Sequence, residues 1–107
     1  MLISLAIALG CHTLATGADR IDVPRELWDR PRTGRAVLEQ EAIRQAVTSA
    51  LARPQSQIVI HHAAGQEPLL QAEELRSWLG ALAIDTRRIA LRSDGNPDAS
   101  LTIEIDP

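Results

Sequence analysis

The sequence predicts an α+β domain: two helices packed on one face of a four-stranded mixed sheet, in the order β-α-β-α-β-β. Three observations predict it. Two stretches, from about Leu38 to Ala52 and from about Glu67 to Ala83, repeat apolar residues at helical spacing. Between them, Gln57-Ile-Val-Ile-His61 sets three β-branched residues in a row, as a covered strand does. Beyond the second helix, Ile89-Ala-Leu-Arg92 and Leu101-Thr-Ile-Glu-Ile105 flank a turn-rich Asp94-Gly-Asn-Pro97. A chain of 107 residues holds one small domain, here residues 18–107.

The chain opens on a different kind of sequence. Met1 to Gly10 is uncharged and apolar all round. As a helix it spans only about 15 Å, too short for a bilayer but suited to the apolar region of a secretory signal. Ala15-Thr16-Gly17 before Ala18 satisfies a small-x-small cleavage rule, so residues 1–17 read as a cleaved leader. The alternative is a buried N-terminal helix. Ala8-Leu9-Gly10-Cys11 also hints at a lipid-attachment box; otherwise Cys11 is discarded with the leader. The mature chain is then periplasmic, with no transmembrane segment, and either free or anchored through Cys11.

Ala18 to Pro24 reads as a polar lead-in and Arg25-Glu-Leu-Trp-Asp29 as a first strand, with Leu27 and Trp28 on opposite faces. Pro31 and Gly34 break the chain among Arg30, Arg32 and Arg35. In the first helix Leu38, Ala42, Ile43, Ala46, Val47, Ala50 and Leu51 form the apolar stripe. Glu39 and Glu41 complement its dipole in the first turn, Arg53 lies at its end, and Pro54 stops it. The second helix carries Pro68 in its first turn. It buries Ala72, Leu75, Trp78, Leu79 and Leu82 and turns Glu73, Glu74, Arg76 and Ser77 to water. In the last strand Leu101, Ile103 and Ile105 alternate with polar residues, so it reads as an antiparallel partner of Ile89–Arg92 with one wet face.

Composition removes several functions. A net charge of −3, and two Trp as the entire aromatic content, give no footprint for nucleic acid. A single Cys excludes an intrachain disulfide framework and a cysteine-based zinc site. No glycine-rich phosphate loop occurs, and no serine stands in a nucleophile motif, so no enzyme and no cofactor are expected. His61 and His62 are adjacent on a strand and point to opposite faces, which denies them a shared metal. They read as one ring packed under the second helix and the other at the strand end.

From Ala72 to Ile89 the chain resembles the OmpA-like peptidoglycan-binding family. Trp78-Leu79, Ala83-Ile84 and Arg88-Ile89 fall, without a gap, on the family's aromatic-Leu, Gly-Val/Ile and Arg-Ile positions. Ile58-Val-Ile60 matches the strand before the family's ligand turn, and the likeness extends over roughly residues 26–105. The resemblance implies an Asp just after that strand and an Arg early in the second helix, which together clasp the diaminopimelate end of a stem peptide. Here the Asp position falls near His62 and Ala63 and the Arg position on Gln71, in a shortened turn. The scaffold is kept while the two charges are absent.

Two expectations follow. The chain is a non-catalytic envelope module that docks a partner protein through the His62–Glu67 turn and the Arg30–Arg35 loop. Alternatively it keeps weak peptidoglycan affinity, with Arg30, Arg32 or Arg35 standing in for the lost arginine. The candidate surface is Arg30, Arg32, Arg35, His62, Gln66 and Gln71.

Overall fold

The structure, a computed structural model, describes residues 19–97 and 100–107. The expected leader and Cys11 lie outside the described residues. Strand β1 (Asp19–Asp22) leads through a 3-10 turn (Arg25–Asp29) into helices α1 (Gly34–Leu38) and α2 (Glu41–Ala52). Strand β2 (Gln57–His61), helix α3 (Gln66–Ala81), strand β3 (Ile89–Arg92) and strand β4 (Thr102–Asp106) follow. The architecture is the expected α+β one, a four-stranded mixed sheet in the order β1-β4-β2-β3. Helices α2 and α3 share one face of it: Ile43, Ala46 and Ala50 of α2 join Ala72, Leu75 and Leu79 of α3 over Ile58, Ile60, Ile103 and Ile105. Among the described residues no helix is long and apolar enough to cross a membrane.

The first strand is not Arg25–Asp29 but the charged segment before it. Leu27 is buried and Trp28 half-buried against the same core, which adjacent residues on a strand cannot achieve. A 3-10 turn after Pro24, with the Leu27 N–H on the Pro24 carbonyl at 3.2 Å, brings both inward. The polar Asp19-Arg-Ile-Asp22 serves as an edge strand, where charged side chains are tolerated and one residue in two needs cover.

The first helix is divided. Thr33 caps α1, its hydroxyl accepting from the Ala36 N–H at 3.0 Å. Gln40 is extended and turns the chain before α2. Glu39 therefore ends α1 rather than opening the longer helix, and Leu38 and Leu51 leave the apolar stripe, 43% and 49% exposed. Small Ala46 and Ala50 let α2 lie close on the sheet. Arg53 pairs with Asp19 of β1 at 3.3 Å. The last carbonyls of α2 are met instead by Arg88, whose guanidinium donates to Ala50 O at 3.0 Å and Arg53 O at 2.8 Å.

Helix α3 buries the expected face, with Trp78 and Leu82 as half-buried flanks. It stops at Ala81, two residues early, because Ala83 adopts φ 82°. The Ile84 N–H bonds Leu79 O at 3.1 Å and the Ala83 N–H bonds Gly80 O at 3.2 Å, the paired bonds of a Schellman cap. Glu74 is not simply solvated: it accepts two hydrogen bonds from Arg32 and one from the Trp78 indole N–H at 3.0 Å.

Strand β4 is not the hairpin partner of β3. It runs antiparallel between β1 and β2, while β3 lies parallel to β2 at the sheet edge. Residues 93–101 are too long a link for a tight hairpin, and β2 lies between β3 and β4 in the sheet. The central slot suits β4, since Ile103 and Ile105 are fully buried.

Candidate functional site

The junction of β2 and α3 is built from the backbone outwards. Beyond His61 the chain leaves the ladder. The His62 N–H donates to Arg92 O at 2.8 Å, and His62 O accepts from the Gly95 N–H at 2.9 Å. The turn after β3 is therefore seated on the exit of β2. The seat is close: a Cβ at Gly95 would stand 2.8 Å from the His62 carbonyl carbon. The His62 ring is buried, and its Nδ1–H donates to Ala63 O at 2.9 Å. Gly65, at φ 118°, then turns the chain into α3.

A cleft of about 340 Å³ opens beside this junction. The 3-10 turn supplies Arg25, Trp28 and Asp29, and the β2–α3 segment supplies Ala63, Glu67, Pro68 and Gln71. Pro97, Ser100 and Leu101 close the far side. That side is tied to the lead-in by the Ser100 hydroxyl donating to Val23 O and by the Val23 N–H on Leu101 O. The lining carries one cation, two acids and an amide. Trp28, also in the lining, keeps its indole N–H buried and without a partner, alone in this among the side-chain polar atoms of the described residues.

Of the residues singled out in the sequence, Gln71 lines this cleft. Gln66 is exposed at the start of α3, and His62 turns its ring onto its own backbone. Arg32 is engaged elsewhere. Its Nε and Nη2 meet the Glu74 carboxylate at 2.6 and 2.9 Å, and its Nη1 reaches Arg30 O at 2.8 Å. Its guanidinium also lies 5.1 Å from the centroid of the Trp28 ring. The pair holds the Glu74 carboxyl below the ordinary carboxylate range, chiefly through the Arg32 hydrogen bonds. Arg35 is 90% exposed, with Glu39 at 3.7 Å across one helical turn, and Arg30 is exposed.

Sequence reasoning missed Arg25 and Asp29, while Glu67 belongs to the turn it singled out. The signal was Pro24: a proline before Arg-Glu-Leu-Trp opens a helical turn more readily than it opens a strand. It also missed a cluster on the sheet face away from the helices. His61 projects there, not under α3, because Ile58 and Ile60 take the core face and the strand alternates. The His61 Nδ1 lies 2.6 Å from Asp94 Oδ1, and its Nε2 lies 2.6 Å from Glu104 Oε1. Arg20 of β1 completes the row, 3.3 Å from the same Glu104 oxygen. The two carboxylates take different ring nitrogens, so the three side chains do not converge on one point as metal ligands do. Among the described residues no group of three or more His, Cys, Asp or Glu forms a metal site.

A second, larger groove of about 650 Å³ runs between β1 and α2. Its cations already have partners: Arg44 bonds Glu41 and Leu38 O, and Arg20 bonds Glu104. Comparison with family models, with curated proteins and with solved structures finds no match to this chain.

Proposed function

We propose that this protein is a non-catalytic interaction module of the cell envelope, exported to the periplasm on its apolar N-terminal run and built on a divergent OmpA-like scaffold. One observation carries the reading. Gln71, the position on which the resemblance puts the family's Arg, and Ala63, one of the two residues near which it puts the Asp, line one cleft, while the other, His62, turns its ring onto its own backbone. With α1 and α2 counted as one divided helix, the element order β-α-β-α-β-β is also the one that resemblance implies. The family's pair of charges is replaced by a different set: Arg25, Asp29 and Glu67. Leu69 and Leu70, 37% and 55% exposed, stand beside it in sequence on the first turns of α3. A charged cleft on an element that also exposes apolar side chains suits a protein partner.

The charge pattern favours a second reading, weak affinity for peptidoglycan. A stem-peptide end carries an amine and a carboxylate, and a cleft with acids and a guanidinium offers a counter-charge to each. In this reading Arg25 takes the part first expected of Arg30, Arg32 or Arg35.

Co-sedimentation of the purified chain with peptidoglycan separates the two. Retention that Arg25→Ala abolishes supports the wall-ligand reading. Absence of retention, with a photo-cross-linker at Gln71 capturing one defined envelope protein in intact cells, supports the docking module. Neither retention nor capture would overturn both. Sequencing the N-terminus of the chain isolated from cells tests export: a start near Ala18 or a lipid on Cys11 is expected, and an unprocessed cytoplasmic chain would sink the assignment.

A further inference from the structure

His61 is held between two carboxylates on the sheet face opposite the helices, and its side chain is only 8% exposed. A neutral imidazole carries one N–H and one lone pair. Against two ionised carboxylates, one of its two 2.6 Å contacts would then set a lone pair against an oxygen. Both contacts become hydrogen bonds when the ring is imidazolium. Asp94 is half-exposed, and its carboxyl is held below the ordinary range by the His61 hydrogen bond, with a smaller contribution from the charge of Arg92. Glu104 accepts from Arg20. Charged groups share the ring's sheet face on both neighbouring strands, Glu104 on β4 and Arg92, its register partner, on β3, and on β1 beyond β4, Arg20 and Asp22.

We propose that His61 is a proton-operated clasp: as imidazolium it ties Asp94, in the turn after β3, to Glu104 of β4, and on losing its proton it lets the Asp94 end go. Glu104 stays because Arg20 and the β4 ladders hold it. Asp94 stands on an exposed turn, with its own side chain half-exposed. That turn carries Gly95, seated on the His62 backbone, and Pro97, which lines the cleft. Proton loss at His61 therefore loosens one wall of the cleft, a consequence that rests on reading the cleft as the binding surface.

The test is an NMR titration of the whole chain between about pH 5 and about pH 8, the range in which histidine changes charge. At the acid end both ring nitrogens of His61 should show the imidazolium pattern. As the pH rises the ring should convert to a neutral tautomer, and the backbone amides of Asp94 and Gly95 should shift with the same midpoint. Asp94→Asn should remove the Gly95 transition while the ring still titrates. A ring in one neutral tautomer throughout, or Asp94 and Gly95 amides that ignore the ring, would overturn the clasp. If those amides follow the ring but Ala63 and Gln71 do not, the link to the cleft is wrong. Failure of the chain to bind any partner leaves this titration unaffected, so the two readings fail separately.

Discussion

Arg88 shows how much one guanidinium holds in a chain of this size. It bonds Ala50 O, Arg53 O, Ser56 O and the Ser56 hydroxyl, closing the C-terminal end of α2 onto the start of β3. Each acceptor would otherwise lose a charge-assisted bond, and the half-buried ones would lose it away from bulk water. Arg88→Ala should cost about 2–3 kcal/mol by urea denaturation, and Arg88→Lys should recover little, since an ammonium cannot reproduce the planar fork. Glu74 gives a pH-dependent counterpart. Its carboxyl is depressed in the folded chain, first by the Arg32 hydrogen bonds and then by the Trp78 indole, so its contribution is present above the unfolded value and is lost as the pH falls through the folded one. The melting temperature should drop below about pH 4, and Glu74→Gln should be less stable at neutral pH with a shallower drop. A variant with the wild-type acid profile would show that the pair contributes nothing. At this scale the sequence was least legible. Arg32 and Gln71 stood out because of their neighbours in the chain. His61, Asp94 and Glu104 come together only through contacts 33 or more residues apart, His61 with Asp94 and with Glu104.

Helix α3 is the element on which sequence and structure agree most closely, and its end is where they part. Ala72, Leu75 and Leu79 recur at helical spacing, and tertiary contact only reinforces that pattern. The end is set by Ala83, a non-glycine residue at φ 82° that closes the cap between Leu79 and Ile84. Its side chain is exposed and brings only the strain of a Cβ in the left-handed region. Ala83→Gly should therefore stabilise the protein by about 1 kcal/mol, read as a higher denaturation midpoint at unchanged slope. A lower midpoint would mean that unfolded-state entropy outweighs the relief of strain. The weaker elements were misread for the same physical reason. Asp19–Asp22 has one apolar residue in its span and becomes a strand because β4 offers it a ladder. The alternation Arg20-Ile21-Asp22-Val23 was its only local trace. The break at Gln40 left none in the composition, since glutamine is a fair helix former and the turn there is imposed by packing Val37 and Ile43 into one core.

Across the whole molecule the decisive feature is that the last strand fills the central slot. β4 is the only ladder partner of β1 and supplies β2 with its antiparallel neighbour, so without β4 the sheet has no connection between its two sides among the described residues. The hairpin expected of β3 and β4 would have left both ends of the chain at the margins. The observed order makes residues more than 80 positions apart, such as Asp19 and Ile105, direct partners. The segment from Leu101 onward also brings Leu101, Ile103 and Ile105, all buried, into the core. At about 1.5–3 kcal/mol for each side chain buried, their loss is roughly 5–9 kcal/mol. That is comparable with the whole stability of a domain this long, about 5–15 kcal/mol. A chain ending at Ser100 should therefore show no cooperative unfolding transition and little native far-UV circular dichroism. A chain beginning at Val23, which lacks only edge strand β1 and its half-buried Ile21, should still unfold cooperatively at a lower denaturant midpoint. If instead the C-terminal truncation melted cooperatively with a native-like spectrum, β4 would be an addition to a core already complete in residues 23–100, and the central position would be incidental to folding.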